Sequence, residues 1–369
     1  MGICKVCGKD SHLISDGLGV CLECIRNKPE EALRVTGEAH AASRRSFNLP
    51  EFPPRNHAGL VCGGCANDCK IGEGQLGYCG LVINVEGRLL RYGGTHQEAV
   101  LEWYYDPLPT NCVAWWFCPG CTGAGYPKYA YTSGPEVGRF NLAVFYGACS
   151  YDCLYCQNWH YRRNASLRSP RMSAEELASK VTSDVSCICF FGGDPSPQMP
   201  HALKTSEIAI ERAAGGILRI CWESNGHMRR EYARRAAELS LKSGGNIKFD
   251  LKSWSESLNM ALCGVSNRLA LENFEMIGRE FFEARAELPL LNASTLLVPG
   301  YIDEAEVYSI ASFIAGINPR IPYTLLGFCP RFVMGDLPTT RRKTAYACLE
   351  AAKRAGLEKI RIGNIHLLH

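Results

Sequence analysis

The chain has 369 residues, 46% of them hydrophobic and 21% charged, and a formal net charge of +3. That length supports a large core and more than one domain, and so small a charge gives no electrostatic footprint for nucleic acid or an anionic membrane. No apolar run reaches about 18 residues, MGICKV lacks the apolar stretch of a signal peptide, and Val6 stands where a myristoylation motif needs Ser or Thr, so a cytoplasmic protein without a membrane span is expected.

In chain order, residues 1–27 form a compact unit built on Cys4, Cys7, Cys21 and Cys24. Residues 28–59 read as a helix (EEALRV) followed by an extended, proline-bearing linker (PEFPPR). Residues 60–138 are a second cysteine-rich region with many glycines and aromatics, expected to be auxiliary to the C-terminal region. From residue 139 to 369 short apolar runs alternate with helical patterns. The expected strands are 140–147, 185–193, 217–226, 246–253, 293–300, 324–330 and 359–365, and the expected intervening helices are 173–182, 201–214, 229–244, 270–284, 304–317 and 340–356. Ser173 with Glu176 three residues on is a capping box, and Gly244 is a helix stop. Strand–helix repetition of this kind predicts a parallel α/β architecture, barrel or open sheet, with function at the C-terminal ends of the strands.

Cysteine is the outlier, at 20 residues, 14 of them before residue 157. With no secretion signal, reduced metal-binding thiols are expected rather than disulfides. Cys187, Cys189, Cys221, Cys263, Cys329 and Cys348 are scattered and read as small buried apolar residues. Cys4, Cys7, Cys21 and Cys24, spaced C-x2-C-x13-C-x2-C, make a structural zinc site, with mononuclear iron as the alternative. Cys62, Cys65, Cys69 and Cys79 make a second quartet, for zinc or an auxiliary iron–sulfur cluster. Cys112, Cys118 and Cys121 form a triad without a fourth member, and Trp115, Trp116 and Phe117 either shield a cluster there or pack as core.

Cys149, Cys153 and Cys156, spaced C-x3-C-x2-C, directly follow the first expected strand. So short a loop wraps three corners of a [4Fe–4S] cluster and leaves the fourth iron open to a small molecule. The alternative is a zinc site with a distant fourth ligand such as His160. With Tyr155 in the C-x3-C-x-aromatic-C position, the loop resembles the signature of the radical SAM superfamily. More closely, residues 60–369 resemble the glycyl-radical (pyruvate formate-lyase) activating-enzyme branch and its AmmeMemoRadiSam family. Asp250-Leu251-Lys252, the stretch LCGVSNRLALENF (262–274), CGGCANDCKIGEGQLGYCG (62–80) and CPRFVMGDLPTT (329–340) carry that resemblance.

The resemblance implies a partial (β/α)6 radical SAM barrel preceded by N-terminal cysteine-rich metal-binding regions. It implies an oxidoreductase that binds S-adenosylmethionine at the open iron and cleaves it reductively to a 5′-deoxyadenosyl radical. Its partners would be a low-potential ferredoxin or flavodoxin and a protein substrate, in an anaerobic or reducing cytoplasm. Gly192, Gly193 and Asp194 stand where the superfamily's Gly-Gly-Glu holds the methionine amino group, with Asp one methylene shorter. Tyr155 and Val298 would face adenine, while Asn225, Asp250 and Lys252 would line the ribose or carboxylate side. Gly363 and Asn364 would close the barrel. Thr324 takes the place of the family's sixth-strand His. Chemistry on a small molecule, including methylation, and a non-catalytic zinc-binding interaction protein are the other readings.

Overall fold

A computed structural model describes residues 2–110, 112–285 and 287–369. Seven parallel strands form its centre: β1 (Phe140–Tyr146), β2 (Val185–Gly192), β3 (Arg219–Ser224), β4 (Ile247–Asp250), β5 (Leu291–Leu297), β6 (Tyr323–Gly327) and β7 (Ile360–Gly363). They lie in the sheet in chain order, β1 to β7. Each of β1 to β6 is followed by helix before the next parallel strand, the arrangement parallel strands require. β1 to β6 are buried along most of their length, which is why they read as continuous apolar runs rather than alternating ones. Trp222 of β3 shows the packing on the outer face. Its ring stacks on Phe190 of β2 at 4.7 Å, and its Nε1 donates to Ser240 Oγ at 3.0 Å.

The helices start where the sequence signals place them. Ser173 and Glu176 make both bonds of the capping box, and the helix Glu304–Ile317 matches its expected bounds, capped by the Asp303 side chain. Gly244, at φ 82°, ends the helix Arg230–Ser243. Four α-helices among the described residues go beyond the expected set: Leu22–Asn27, Pro119–Thr122, Tyr161–Leu167 and Glu256–Cys263.

The sheet also reaches beyond the repeating region. Glu98–Pro107 pairs antiparallel with β1, and Arg171–Ser173 pairs antiparallel with Glu98–Pro107 at the edge. The other edge is β7, which pairs with β6 only, so among the described residues the ladder stays open at Gly363. Helix Pro29–Arg45 runs 17 residues, longer than its EEALRV core. It packs against Glu256–Cys263 beneath the loop that follows β1. No described helix is long and apolar enough to cross a membrane.

Candidate active site

The loop after β1 places Cys149, Cys153 and Cys156 at the C-terminal end of the first parallel strand. Cys149 is buried and the other two are half-buried. Cys149 Sγ accepts from the Tyr151 amide at 3.3 Å and from Asn225 Nδ2 at 3.6 Å. The loop is stitched to the end of helix Glu256–Cys263 by Asp152 N to Cys263 O at 2.8 Å and Leu154 N to Leu262 O at 3.1 Å.

Between the cysteines lies Asp152, which is fully buried. Arg162 Nη2 and Nε donate to its Oδ1 at 2.7 and 2.9 Å, His40 Nδ1 stands 3.0 Å from Oδ2, and Arg44 Nη1 is 3.6 Å from Oδ1. Burial opposes the carboxylate charge, but Arg162, His40 and Arg44 outweigh it and hold the carboxyl below its usual range. Arg162 also donates to the Cys153 carbonyl at 3.3 Å. Three of these groups, His40, Arg44 and Asp152, escaped the sequence reading, as did Arg162. Pairings across 112 residues, as between His40 and Asp152, leave no signal in local spacing.

The ends of β2 to β5 gather the other expected residues around the same loop. Gly192, at φ 106°, and Gly193 let the chain pass tightly over β1. A Cβ on Gly193 would stand 2.3 Å from Ala148 O and 2.8 Å from the Tyr161 ring. Asp194 is buried, and its carboxylate accepts from Ser196 N (2.8 Å), Ser224 Oγ (3.1 Å) and Asn225 N (2.6 Å). It thus braces the β2 and β3 loops, and burial pushes its carboxyl above the usual range against the pull of these donors. Asn225 also donates to Ser150 Oγ at 3.1 Å.

On β4, Asp250 accepts from Lys252 Nζ at 3.0 Å and Ser294 Oγ at 2.6 Å. Lys248, absent from the expected set, bridges Asp250 at 2.8 Å and Glu223 at 2.9 Å. Burial disfavours the Asp250 charge, but Lys248 and Lys252 overcome it and keep the carboxylate ionised. Tyr155 and Val298 are buried in walls rather than presented to open space. Tyr155 OH sits 3.6 Å from Cys263 Sγ, and Val298 takes part in the turn to Tyr301 and Ile302. Thr324 is buried in β6 between Ser294 and Arg361. Cys263, read from sequence as an apolar filler, lies 3.4 Å from Cys153 Sγ.

The donor sets differ in span. Cys4, Cys7, Cys21 and Cys24 bring all four sulfurs within 4.8 Å of one another, with Cys7 and Cys21 at 3.8 Å. A tetrahedral ion with metal–sulfur bonds of ~2.3 Å needs sulfurs ~3.8 Å apart, so this quartet fits one ion. Its unit docks on the barrel: Ser15 Oγ donates to Asp336 at 2.8 Å, and Tyr301 OH donates to Val20 O at 2.9 Å. Among the described residues the three loop sulfurs do not meet that single-ion span, and cationic Arg162 and Lys252 lie near Cys153 and Cys156. Cys62, Cys65, Cys69 and Cys79 line one small pocket, with Arg91 Nη1 3.8 Å from Cys62 Sγ. This second quartet touches the first loop through Asn67 Nδ2, which donates to Ser150 O at 2.7 Å.

Residues 143–312 match the family model of the radical SAM superfamily. An uncharacterized protein of Methanocaldococcus jannaschii, MJ0808, is 23% identical over 314 residues, 82% of this chain and 81% of that one. Among solved structures, a domain of pyruvate-formate lyase-activating enzyme from Bacteroides vulgatus is 23% identical, covers 48% of this chain and 98% of its own, and has a TM-score of 0.38. Streptococcus suis SuiB bound to S-adenosylmethionine is 11% identical, with 59% of this chain and 49% of that chain covered and a TM-score of 0.42. Over residues 143–312 the chain carries a radical SAM superfamily domain, and by that domain it is an enzyme.

Proposed function

We propose that Cys149, Cys153 and Cys156 hold a [4Fe–4S] cluster with one open iron, and that the chain uses it to act on a protein substrate. When bound there with S-adenosylmethionine, the reduced cluster supplies the electron that splits the sulfonium into methionine and a hydrogen-abstracting 5′-deoxyadenosyl radical. The observation that carries the reading is the convergence of the three thiols with Asn225 and the Asp250–Lys252 pair at the C-terminal ends of β1, β3 and β4. Asn225 Nδ2 steadies Cys149 as a thiolate. The backbone at Gly192 and Gly193 accepts the methionine end, while Asp194 fixes its loop from behind. Asp250 and Lys252, already ion-paired, present an ordered polar wall toward ribose and carboxylate. Tyr155 and Val298, buried in the walls, back the adenine side of the site without presenting open surface.

The activating-enzyme resemblance, carried by Asp250-Leu251-Lys252 and residues 262–274, supports a protein substrate. We assign zinc to the N-terminal quartet and a ferredoxin or flavodoxin as electron donor. The test is to reconstitute the protein anaerobically, add dithionite and S-adenosylmethionine, and measure 5′-deoxyadenosine. Formation by the wild type and its loss in Cys153→Ala support the proposal; equal formation in Cys153→Ala overturns it.

A further inference from the structure

The cysteines at the other end of the sheet were the least informative in sequence. Cys187 and Cys189 are two apart on β2 and so point to one face of the sheet. Cys221 of β3 is the register partner of Cys189 and shares that face. The segment carrying Cys112, Cys118 and Cys121 lies across them, with Cys118, Cys121 and Cys187 packed in one apolar cluster that Cys112 and Phe117 abut. Cys187 and Cys221 are each the third residue of their strands. This mouth is therefore the N-terminal one, opposite the loop of Cys149, Cys153 and Cys156.

The segment is held through the loop that follows it, where Glu136 N donates to Gly120 O at 3.0 Å. Arg219, at the start of β3, donates to both oxygens of Glu136 at 2.8 and 2.7 Å and to Tyr129 O at 2.8 Å, with both charged side chains fully buried. Between segment and strands is a void of about 20 Å³, room for about one water, lined by Cys112, Cys118, Cys187, Cys189, Cys221 and Lys248. Five of the cysteines line it, and Cys121 packs in the same cluster as Cys118. Among the described residues, only the N-terminal quartet draws its sulfurs together within 4.8 Å as a single ion requires. The sequence triad lacked a fourth ligand, and three strand thiols, Cys187, Cys189 and Cys221, line the void, of which Cys187 and Cys221 each meet an asparagine side chain. Asn246 Nδ2 donates to Cys221 Sγ at 3.7 Å, the polarity that favours a thiolate. Cys187 Sγ instead donates to Asn141 Oδ1 at 3.4 Å, which requires a thiol.

We propose that Cys112, Cys118, Cys121 and Cys221 hold a further iron–sulfur cluster of the [4Fe–4S] class at the N-terminal mouth of the barrel. Lys248 of its lining also bridges Glu223 and Asp250, so polar side chains run from this mouth toward the loop cluster.

The experiment compares anaerobically reconstituted full-length wild type with Cys118→Ser, Cys221→Ser and Cys187→Ser by iron and sulfide content and Mössbauer spectroscopy. The electron paramagnetic resonance change on adding S-adenosylmethionine to reduced protein reports separately on the loop cluster. Cys118→Ser and Cys221→Ser are expected each to lose about four irons and four sulfides per chain. Cys187→Ser keeps them, and all three retain the response to S-adenosylmethionine. Wild-type iron in Cys118→Ser, or loss of one zinc with iron unchanged, overturns the cluster. Iron lost in Cys187→Ser and kept in Cys221→Ser overturns the assignment of Cys221. Should Cys118→Ser not fold, the contrast between Cys221→Ser and Cys187→Ser decides alone: iron lost only in Cys221→Ser supports the proposal, and equal iron in both overturns it.

Discussion

Replacing Asp152 by Asn keeps the shape of the side chain and removes one charge from a fully buried ionic knot. Asp152, His40, Arg44 and Arg162 are at most 3% exposed, so solvent does not screen what is left behind. Two guanidinium groups would stay buried with their shared counter-charge gone. Removing one partner of a buried pair costs about 3–5 kcal/mol, a large share of a typical stability of about 5–15 kcal/mol. Because Asp152 lies between Cys149 and Cys153, the loss should appear first as a cluster that does not stay. Asp152→Asn is expected to retain less than about a fifth of wild-type iron at the loop centre and to lower the chemical-denaturation midpoint of the anaerobic holoprotein. Adding Arg162→Met to that variant should recover part of the stability, since removing both members of a buried pair costs less than removing one. The pH dependence has a definite sign. The folded carboxyl titrates below its unfolded value of 3.8, so its contribution is complete above that value and is lost as pH falls from there through the lowered folded value. The gap between wild type and Asp152→Asn should therefore be widest near neutrality and shrink below about pH 4. A variant within about 1 kcal/mol of wild type, with full iron, would refute this reasoning.

Three further outcomes rest on single contacts. Cys263→Ala should keep its iron and cleave S-adenosylmethionine within about threefold of wild type if the fourth iron is open (a change under about 1 kcal/mol); loss of iron at the loop centre, read by Mössbauer spectroscopy, would mean that Cys263 caps the cluster. Gly193→Ala forces a methyl onto Ala148 O and Tyr161 and should lower deoxyadenosine formation at least about tenfold, or about 1.4 kcal/mol, whereas Gly134→Ala, with no atom within 4 Å, should leave it unchanged. Cys7→Ala should lose one metal ion per chain and unfold at lower temperature, while its folded fraction still yields deoxyadenosine; a folded, metal-free variant that makes none would give the N-terminal unit a direct part in the reaction.

What could be read from the sequence was local. Ser173 with Glu176, and the apolar period of residues 304–317, fix their elements within a few residues of chain, so both appear in the structure where expected. The loop of Cys149, Cys153 and Cys156 was legible for the same reason, since its three thiols lie within eight residues of sequence. Glu98–Pro107 was not. It is an antiparallel flank strand with several exposed positions, and its pairing with β1 depends on residues some forty positions away. Asp194 shows a subtler limit. Its position at the end of β2 was legible, but its bonds to Ser224 and Asn225 depend on the next strand. Cys221 is the sharpest case, because it meets the Cys112–Cys121 segment only through the lateral pairing of β2 and β3.

The two fully buried carboxylate–arginine knots explain why so much chain precedes β1. Asp152–Arg162, with Arg44 and His40, ties helix Pro29–Arg45 to the C-terminal mouth of the barrel, and Glu136–Arg219 ties the Cys112–Cys121 segment to the N-terminal mouth. Such pairs add little net stability, because desolvating the ions consumes most of their attraction, and apolar residues of equal size would hold as well. What an ion pair adds is position: a guanidinium meets a carboxylate in one planar geometry, whereas an apolar contact can slide. At both mouths the segment so fixed either supports or carries cysteines, and a cluster tolerates only small errors in where its thiolates stand. Barrel strands set sulfur positions at one edge of each site, and the charged knots set the opposite edge. A charge-reversed pair, Glu136→Arg with Arg219→Glu, should therefore restore more iron at the N-terminal mouth than an apolar pair of equal volume, even where the apolar pair folds more stably. Equal iron in both would show that packing alone positions the thiols.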